Sequence, residues 1–458
     1  MAAARVTGLT SPPIDISYRR IASIAGPVII NQLTVTLMGV IDVIMVGQLG
    51  VRALAAVGLA AMVSLPVFAF FSGMFNAVNT LVAQAIGAGD QRAAGVALWQ
   101  GLYLAVLSAL ALVATWWIVP ILFRWAGATP GVQALGIDYM HMRLLGGFGF
   151  AVIAAASNFY RGIGRTQVLM ASAVVQLVLN CGLNYVLIFG KFGAPELGTT
   201  GAAIGTSVAQ WVVGLALCGT LWGMPALRNR YALMKTWRWR PKIFVTLLRL
   251  SLPIGGQLFL EVASLTVFTA VIGRLGEAQL AASNVAWHAW SIGFMVGVGF
   301  SVSATTLVGQ CIGAGTPDEA RRVVRRVLHL GYGAMAAAVL VYLLAPEQIM
   351  AVFVEAGEFE RLRPYARPLL MMVALVVSFD MQMSVMIGAL RGAGDVTYPA
   401  VISLLCPWLI FVPVTLVVAP RFGVTAAWGA LVINYVIMAG LMTWRTRGSA
   451  WLKPAQQR

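Results

Sequence analysis

Apolar residues run through this chain in long stretches, broken by short polar or glycine-rich pieces. A helix needs about 20 apolar residues to cross the hydrocarbon of a bilayer. Twelve segments of that order lie near 21–48, 55–85, 94–121, 138–160, 167–190, 201–223, 245–272, 282–309, 326–345, 366–389, 399–419 and 424–444. The pattern predicts an all-α integral membrane protein with twelve transmembrane helices. An even count puts both chain ends on one side.

Self-comparison divides these spans into two sets of six. VGQLGVRALAAVGLA (46–60) faces IGRLGEAQLAASNVA (272–286) at an offset of 226, with seven identities in 15. At the same offset VAQAIGAGD (82–90) faces VGQCIGAGT (308–316), and Pro27 faces Pro253. A second offset, 230, pairs RGIG (161–164) with RGAG (391–394) and Phe192-Gly193 with Phe422-Gly423. The expected organisation is a tail (1–20), an N-lobe (21–225), a linker (226–244), a C-lobe (245–445) and a second tail (446–458). Six spans per half is even, so the two bundles enter the membrane in the same sense, related by a pseudo-twofold axis along the membrane normal. Substrate paths in such proteins run between the repeats, and transport becomes the leading class on architecture alone.

Composition supports lipid as the solvent: 60% of residues are hydrophobic and 10% charged. That leaves too little polar surface to cover a water-soluble globule of this size. The net charge of +16 raises the question of nucleic acid, and distribution answers it. With both termini cytoplasmic, 22 of the 31 basic residues fall in cytoplasmic segments, seven of them in the loop from Arg228 to Arg249. This bias is the positive-inside rule, and no basic face with base-reading or base-stacking groups stands on a water-exposed domain. The expected partner is the lipid bilayer, with no nucleic acid, both termini cytoplasmic, and a monomer as the working unit. Arg19 and Arg20 precede an apolar run longer than the 7 to 15 residues of a signal peptide, which predicts an uncleaved first span. Cys181, Cys218, Cys311 and Cys406 lie far apart with no CxxC, implying neither a disulfide framework nor a zinc site.

Three acidic residues sit well inside the spans: Asp42 in the first, Glu261 in the seventh and Asp380 in the tenth. A charge at the bilayer centre costs about 2.5–3.5 kcal/mol even on lenient scales, so such groups face a cavity and a partner. Helical rise puts Asp42 about 12 Å from the outer end of its span, with Asn180 and Asn184 of the fifth span about 16 and 10 Å deep on one face. The three can share a level, and a carboxylate with amide carbonyls is an oxygen set for a small cation or a tuned proton site. Glu261 and Asp380 both fall about 20 Å from the outer end, where two carboxylates can share a proton or bind a cation together. The repeat supplies a control. The equivalents of Asp42, Glu261, Asp380, Asn180 and Asn184 are Phe268, Val35, Phe150, Ile410 and Val414, all apolar. A plain interhelical hydrogen bond is the alternative role for each of these polar groups.

Trp287, His288 and Trp290 form a WHAW cluster that can line a cavity for cationic substrates by cation–π attraction, with an interfacial belt or packing as the plainer reading. His288 is also a candidate proton relay, against a plain buried histidine. The IGAG and RGxG turns follow no strand, and neither GxxxxGK[ST] nor HExxH occurs, so no ATPase motor or zinc protease is expected.

Taken together, GVIDVIMVGQLG (39–50), VAQAIGAGD, VGQCIGAGT, ALRGAGD (389–395), NYVLIFGKFGAPELGTTGAAIGT (184–206) and the twin six-helix repeat resemble the multidrug and toxic compound extrusion (MATE) family, in its NorM-like branch. The resemblance covers about 20 to 445. It implies an inner-membrane antiporter whose lobes form a V-shaped cleft and export organic cations against Na+ or H+, with no cofactor. By position it implies an N-lobe cation site at Asp42, Asn180 and Asn184, with Thr206 as an additional oxygen, and a C-lobe acidic site at Glu261 and Asp380. Sodium-coupled relatives often carry a tyrosine one turn before the second of these acids, and here that residue is Val376. The alternative functional reading is a flippase for lipid-linked precursors, which calls for basic residues in the cleft. An intramembrane enzyme finds no paired His/Glu, Ser/His or DDxxD set.

Overall fold

The computed structural model describes residues 14–125, 127–353 and 356–452. The fold is all-α. Helices α1 (Tyr18–Gly47), α2 (Val51–Gly87), α3 (Gln91–Ala114), α4 (Val119–Trp125), α5 (Pro130–Leu145), α6 (Gly147–Gly162), α7 (Gln167–Phe189) and α8 (Gly198–Gly223) form the first half. A short α9 (Pro225–Arg230) leads to α10 (Pro241–Gly273), α11 (Glu277–Gly313), α12 (Pro317–Leu344), α13 (Pro346–Phe353), α14 (Ala356–Ala393), α15 (Thr397–Cys406) and α16 (Val412–Arg447). Among the described residues, ten helices are long and apolar enough to cross a membrane, or eleven if α5 and α6, bent by 45° at Gly146, make one span. The last of the ten, Thr397–Arg447, is 51 residues long, far beyond the length that one crossing requires. A π-turn at Pro407–Phe411 interrupts it, and Gly423 breaks it with φ 77° and ψ −169°.

Local chemistry fixes the ends. Ser17 Oγ accepts from the Arg20 amide at 3.2 Å to start α1, and Asp90 Oδ1 accepts from the Ala93 amide at 2.9 Å to start α3. Proline stands in the first turn of α5, α10 and α12, where its missing N–H costs nothing. The turn glycines with positive φ recur at the repeat offsets: Gly50 and Gly276, Gly89 and Gly315, Gly164 and Gly394, Gly193 and Gly423. Each pair serves the same turn in both halves.

The basic linker is not loose. Trp99 Nε1 on α3 donates to the Leu233 carbonyl at 2.8 Å, and the Tyr103 hydroxyl donates to that of Trp237.

Two large cores hold the molecule, and each borrows from the other half. Ile21, Ile24, Ala25 and Val28 of α1 are buried among residues of α10 to α16. Phe244, Leu247, Leu250 and Ile254 of α10 are buried among residues of α2 to α8. Gly73 and Gly299, equivalent at offset 226, let the crossings close: a Cβ on Gly73 would stand 2.9 Å from the Ile254 carbonyl oxygen, and one on Gly299 would strike Ile29.

At the helix ends that carry the IGAG and RGxG turns, the halves are stitched by reciprocal hydrogen bonds. Thr80 Oγ1 donates to the Arg391 carbonyl at 2.9 Å, and Thr306 Oγ1 to that of Arg161 at 3.0 Å. Gln84 Nε2 donates to the Gly392 carbonyl at 2.8 Å, and Gln310 Nε2 to that of Gly162 at 3.1 Å. Donors and acceptors are related by the two offsets read from the sequence. The accepting carbonyls lie in the last turns of α6 and α14; those of Gly162 and Gly392 receive no local backbone donor, while those of Arg161 and Arg391 also accept from the Gly164 and Gly394 amides at 2.9 Å. Gly87 and Gly313 bring the backbones into contact: a Cβ on either would fall on the carbonyl oxygen of Gln310 or Gln84 respectively.

Candidate functional site

In the first half the structure brings Asp42, Asn180, Asn184 and Thr206 into one hydrogen-bonded chain. Asn184 Nδ2 donates to Asp42 Oδ1 at 2.6 Å and, more weakly, to Asn180 Oδ1 at 3.4 Å. Asn180 Nδ2 donates to Thr206 Oγ1 at 3.0 Å, which in turn donates to the Ala202 carbonyl at 2.9 Å. Both asparagines are fully buried. The i, i+4 spacing on α7 places them one above the other, facing α1 and α8. Gly205 of α8 supplies the room, since a Cβ there would run into the Asn184 amide oxygen. That oxygen, Oδ1, accepts no hydrogen bond from a described residue. The cluster therefore presents one carboxylate and one free amide carbonyl.

A cation also stands by. Arg143, in the last turn of α5, acts electrostatically on Asp42, with its guanidinium 3.3 Å from Gln210 Oε1 and 5.6 Å from the centre of the Phe68 ring. Arg143 is not one of the 22 basic residues that the loop count puts in cytoplasmic segments.

In the second half Asp380 is 1% exposed. Trp290 Nε1 donates to its Oδ2 at 3.2 Å and Ser384 Oγ to its Oδ1 at 3.4 Å. Glu261 lies close enough for the two charges to act on each other. Arg391 reaches back from the end of α14, donating through Nη2 to Gln257 Oε1 at 2.9 Å and acting on Glu261 from there. The sequence pattern assigned Arg391 to a cytoplasmic turn. The residue is there, but its long side chain turns inward beside an acid.

Of the aromatic cluster, Trp290 is buried and bonded to Asp380, with ring centres 4.7 Å from Trp287, 5.6 Å from Phe294 and 6.3 Å from Tyr435. Trp287 is half-buried, whereas His288 is exposed. Val376 is fully buried and offers no oxygen. Cys181, Cys218, Cys311 and Cys406 are all free thiols. Among the described residues no three His, Cys, Asp or Glu side chains gather as a metal centre.

Comparison with known proteins closes the case for the family. The MatE family model matches residues 27–186 and 253–417, more than half of the chain and once in each half. The chain belongs to the MatE family. Among curated relatives, this MatE chain is 33% identical to a probable multidrug resistance protein NorM of Rhizobium meliloti (strain 1021), over 92% of its length and 91% of the relative's. It is 30% identical to the multidrug resistance protein PmpM of Pseudomonas aeruginosa, over 88% and 84%. Its fold matches the outward-facing conformation of a multidrug resistance MATE family transporter of the MOP superfamily, with a TM-score of 0.85 and 21% identity over 95% of this MatE chain and 96% of that one.

Proposed function

We propose that this chain is a multidrug antiporter of the inner membrane, exporting lipophilic organic cations as Na+ or H+ enters. In this reading twelve spans form two six-helix lobes, 21–225 and 245–445, related by a pseudo-twofold axis along the membrane normal and joined by the linker 226–244. Splitting Thr397–Arg447 at Gly423 and joining α5 to α6 supports the count of twelve. The loop bias of basic residues puts both termini, and the stitched seam, on the cytoplasmic side.

One observation carries the proposal. Each lobe holds a carboxylate site within its span region, Asp42 in one and Glu261 with Asp380 in the other, while a reciprocal seam joins the lobes at a single end. A transporter needs an ion site and a seal that can open on one side at a time. The multidrug resistance named for the relatives supplies the substrate class. Trp287, half-buried beside Trp290, offers an aromatic face to a cationic ligand.

Ion and drug compete. Binding of the ion at Asp42, or at Glu261 and Asp380, weakens the site for a lipophilic cation, and reciprocity requires the drug to weaken the ion by the same factor. One elementary charge falling through the membrane potential supplies about 2.3 kcal/mol per 100 mV, enough to drive accumulation. The protein works as a monomer without a cofactor. The acidic residues well inside the spans, Asp42, Glu261 and Asp380, favour this reading over a flippase, which needs basic groups for pyrophosphate.

The test is uptake of a fluorescent lipophilic cation into proteoliposomes, with a sodium gradient or a pH gradient imposed separately at one membrane potential. Uptake driven by either gradient upholds antiport and names the ion. A response to neither, with protein correctly inserted, overturns it in favour of the flippase.

A further inference from the structure

Two cavities flank the seam, apart from the acidic sites. One, of about 450 Å³, is lined by Gln84, Asp90, Lys242, Thr246, Ile312 and Gly313. The other, of about 480 Å³, is lined by Gln310, Arg20, Ile86 and Gly87, which stand at offset 226 from Gln84, Thr246, Ile312 and Gly313. Asp15, Gln91 and Arg230 add to its polar wall. The repeat has built one hollow twice, and both halves of the chain wall each copy.

Each wall combines an acid with basic groups. Asp90 Oδ1 accepts from the Ala93 amide at 2.9 Å and Asp15 Oδ1 from the Ser17 amide at 2.9 Å, which leaves the second oxygen of each carboxylate. The bases are Lys242 in one cavity and Arg20 with Arg230 in the other, and no ion pair among the described residues engages any of the three. Gln91 Oε1 is buried and accepts no hydrogen bond from a described residue, so its cavity wants an N–H or O–H donor. A simple anion meets the carboxylate in each wall, and a simple cation meets the base. A ligand carrying an anionic end and an ammonium end satisfies both by charge-assisted hydrogen bonds.

Position and the rest of the wall make that ligand a lipid. Leu81, Ala93, Ala97 and Ile243 give the first cavity an apolar side on which glycerol and the start of an acyl chain can lie. Trp237 and Trp239, just before Lys242, are 55% and 49% exposed, and Tyr18, just before Arg20, is 47% exposed. Exposed aromatic rings at the entry of a span sit at the headgroup level of a bilayer. Phosphatidylethanolamine presents both charges at that level: a phosphodiester anion for lysine or arginine, and an ammonium whose three N–H groups suit a carboxylate and an amide oxygen.

We infer that each of these cavities holds the headgroup of phosphatidylethanolamine, with the phosphate on Lys242 or on Arg20 and Arg230, and the ammonium on Asp90 or on Asp15 and Gln91. The experiment is native mass spectrometry of the purified full-length protein, delipidated in detergent and titrated with dioleoyl phosphatidylethanolamine, phosphatidylcholine or phosphatidylglycerol. Wild type is expected to hold one phosphatidylethanolamine in each cavity, at least fivefold more tightly than either other lipid, because the choline headgroup has no N–H to donate and the glycerol headgroup has no positive charge. Asp90→Asn, which keeps the cap of α3, and Lys242→Gln are each expected to lose one of the two bound molecules. Arg230→Gln with Asp15→Asn is expected to lose the other. The three-lipid comparison on wild type decides the matter where a variant is not monodisperse. Equal affinity for the three lipids overturns the assignment, as does a full complement of phosphatidylethanolamine in folded Lys242→Gln. Saturable binding of inorganic phosphate by wild type with no lipid retained overturns it in favour of a soluble anion. None of these outcomes bears on the coupling ion or on drug export, which the uptake assay reads separately.

Discussion

Replacing Gln84 and Gln310 together by leucine removes the two donors that cross the seam to Gly392 and Gly162. In the closed arrangement each carbonyl then sits at a helix end with no donor, a loss of about 1–3 kcal/mol apiece. Water can serve the same carbonyls once the seam opens, so the penalty falls on the closed state alone. Two sites give about 2–6 kcal/mol, and 1.4 kcal/mol is a factor of ten, so even the low end shifts the closed-to-open ratio about 30-fold. The assay is a pulsed electron–electron distance between spin labels at Ala88 and Ala314, the equivalent residues that follow α2 and α11. All four native cysteines are replaced beforehand. The double variant is expected to populate a longer distance at the expense of the short one, and each single variant to produce about half the free-energy shift. Distance distributions identical to wild type in the double variant, with the protein folded, would refute the claim that these bonds bias the equilibrium.

Asp42→Asn and Asp380→Asn are each expected to abolish drug efflux in cells without reducing the amount inserted in the membrane; full export in both at equal expression would sink the coupling mechanism. Gly87→Val places side-chain atoms on the Gln310 carbonyl, and should lengthen the same spin-label distance without altering the fold seen by circular dichroism. Trp290→Phe deletes a hydrogen bond to a carboxylate worth about 1.5–3 kcal/mol and should lower efflux at least tenfold at matched expression. Arg445, in the last turn of α16, contacts the buried Asp395, just past the end of α14, at 2.9 Å. Arg445→Met is expected to lower thermal stability by about 3 kcal/mol, and Arg445→Met with Asp395→Leu to recover most of it.

The spans were legible because lipid imposes a length on apolar runs, and the repeat was legible because it lay in glycine-rich turns. Those turns prove to be the positive-φ positions, where only a residue without Cβ fits at low cost. The meeting of Asp42 with Asn180 and Asn184 followed from depth and from i, i+4 spacing, both one-dimensional quantities. What the pattern hid is what depends on direction. Arg143 reaches its site from the last turn of α5, Arg391 through a flexible side chain that runs against its own loop assignment, and Trp290 through an N–H that composition cannot aim. The exchange of helix segments between cores was equally invisible, since Ile21–Val28 and Phe244–Ile254 read as ordinary apolar turns.

That exchange governs how the protein is made. A chain emerging from the ribosome completes α1 to α8 well before Phe244 arrives, so the first core waits unfinished, lacking Phe244, Leu247, Leu250 and Ile254 of α10 and Val396 beyond α14. The second core, conversely, needs Ile21 to Val28, synthesised at the outset. Each half therefore completes its core only when the other has been made. A gene split within the linker should therefore yield function only when both fragments are produced in the same cell.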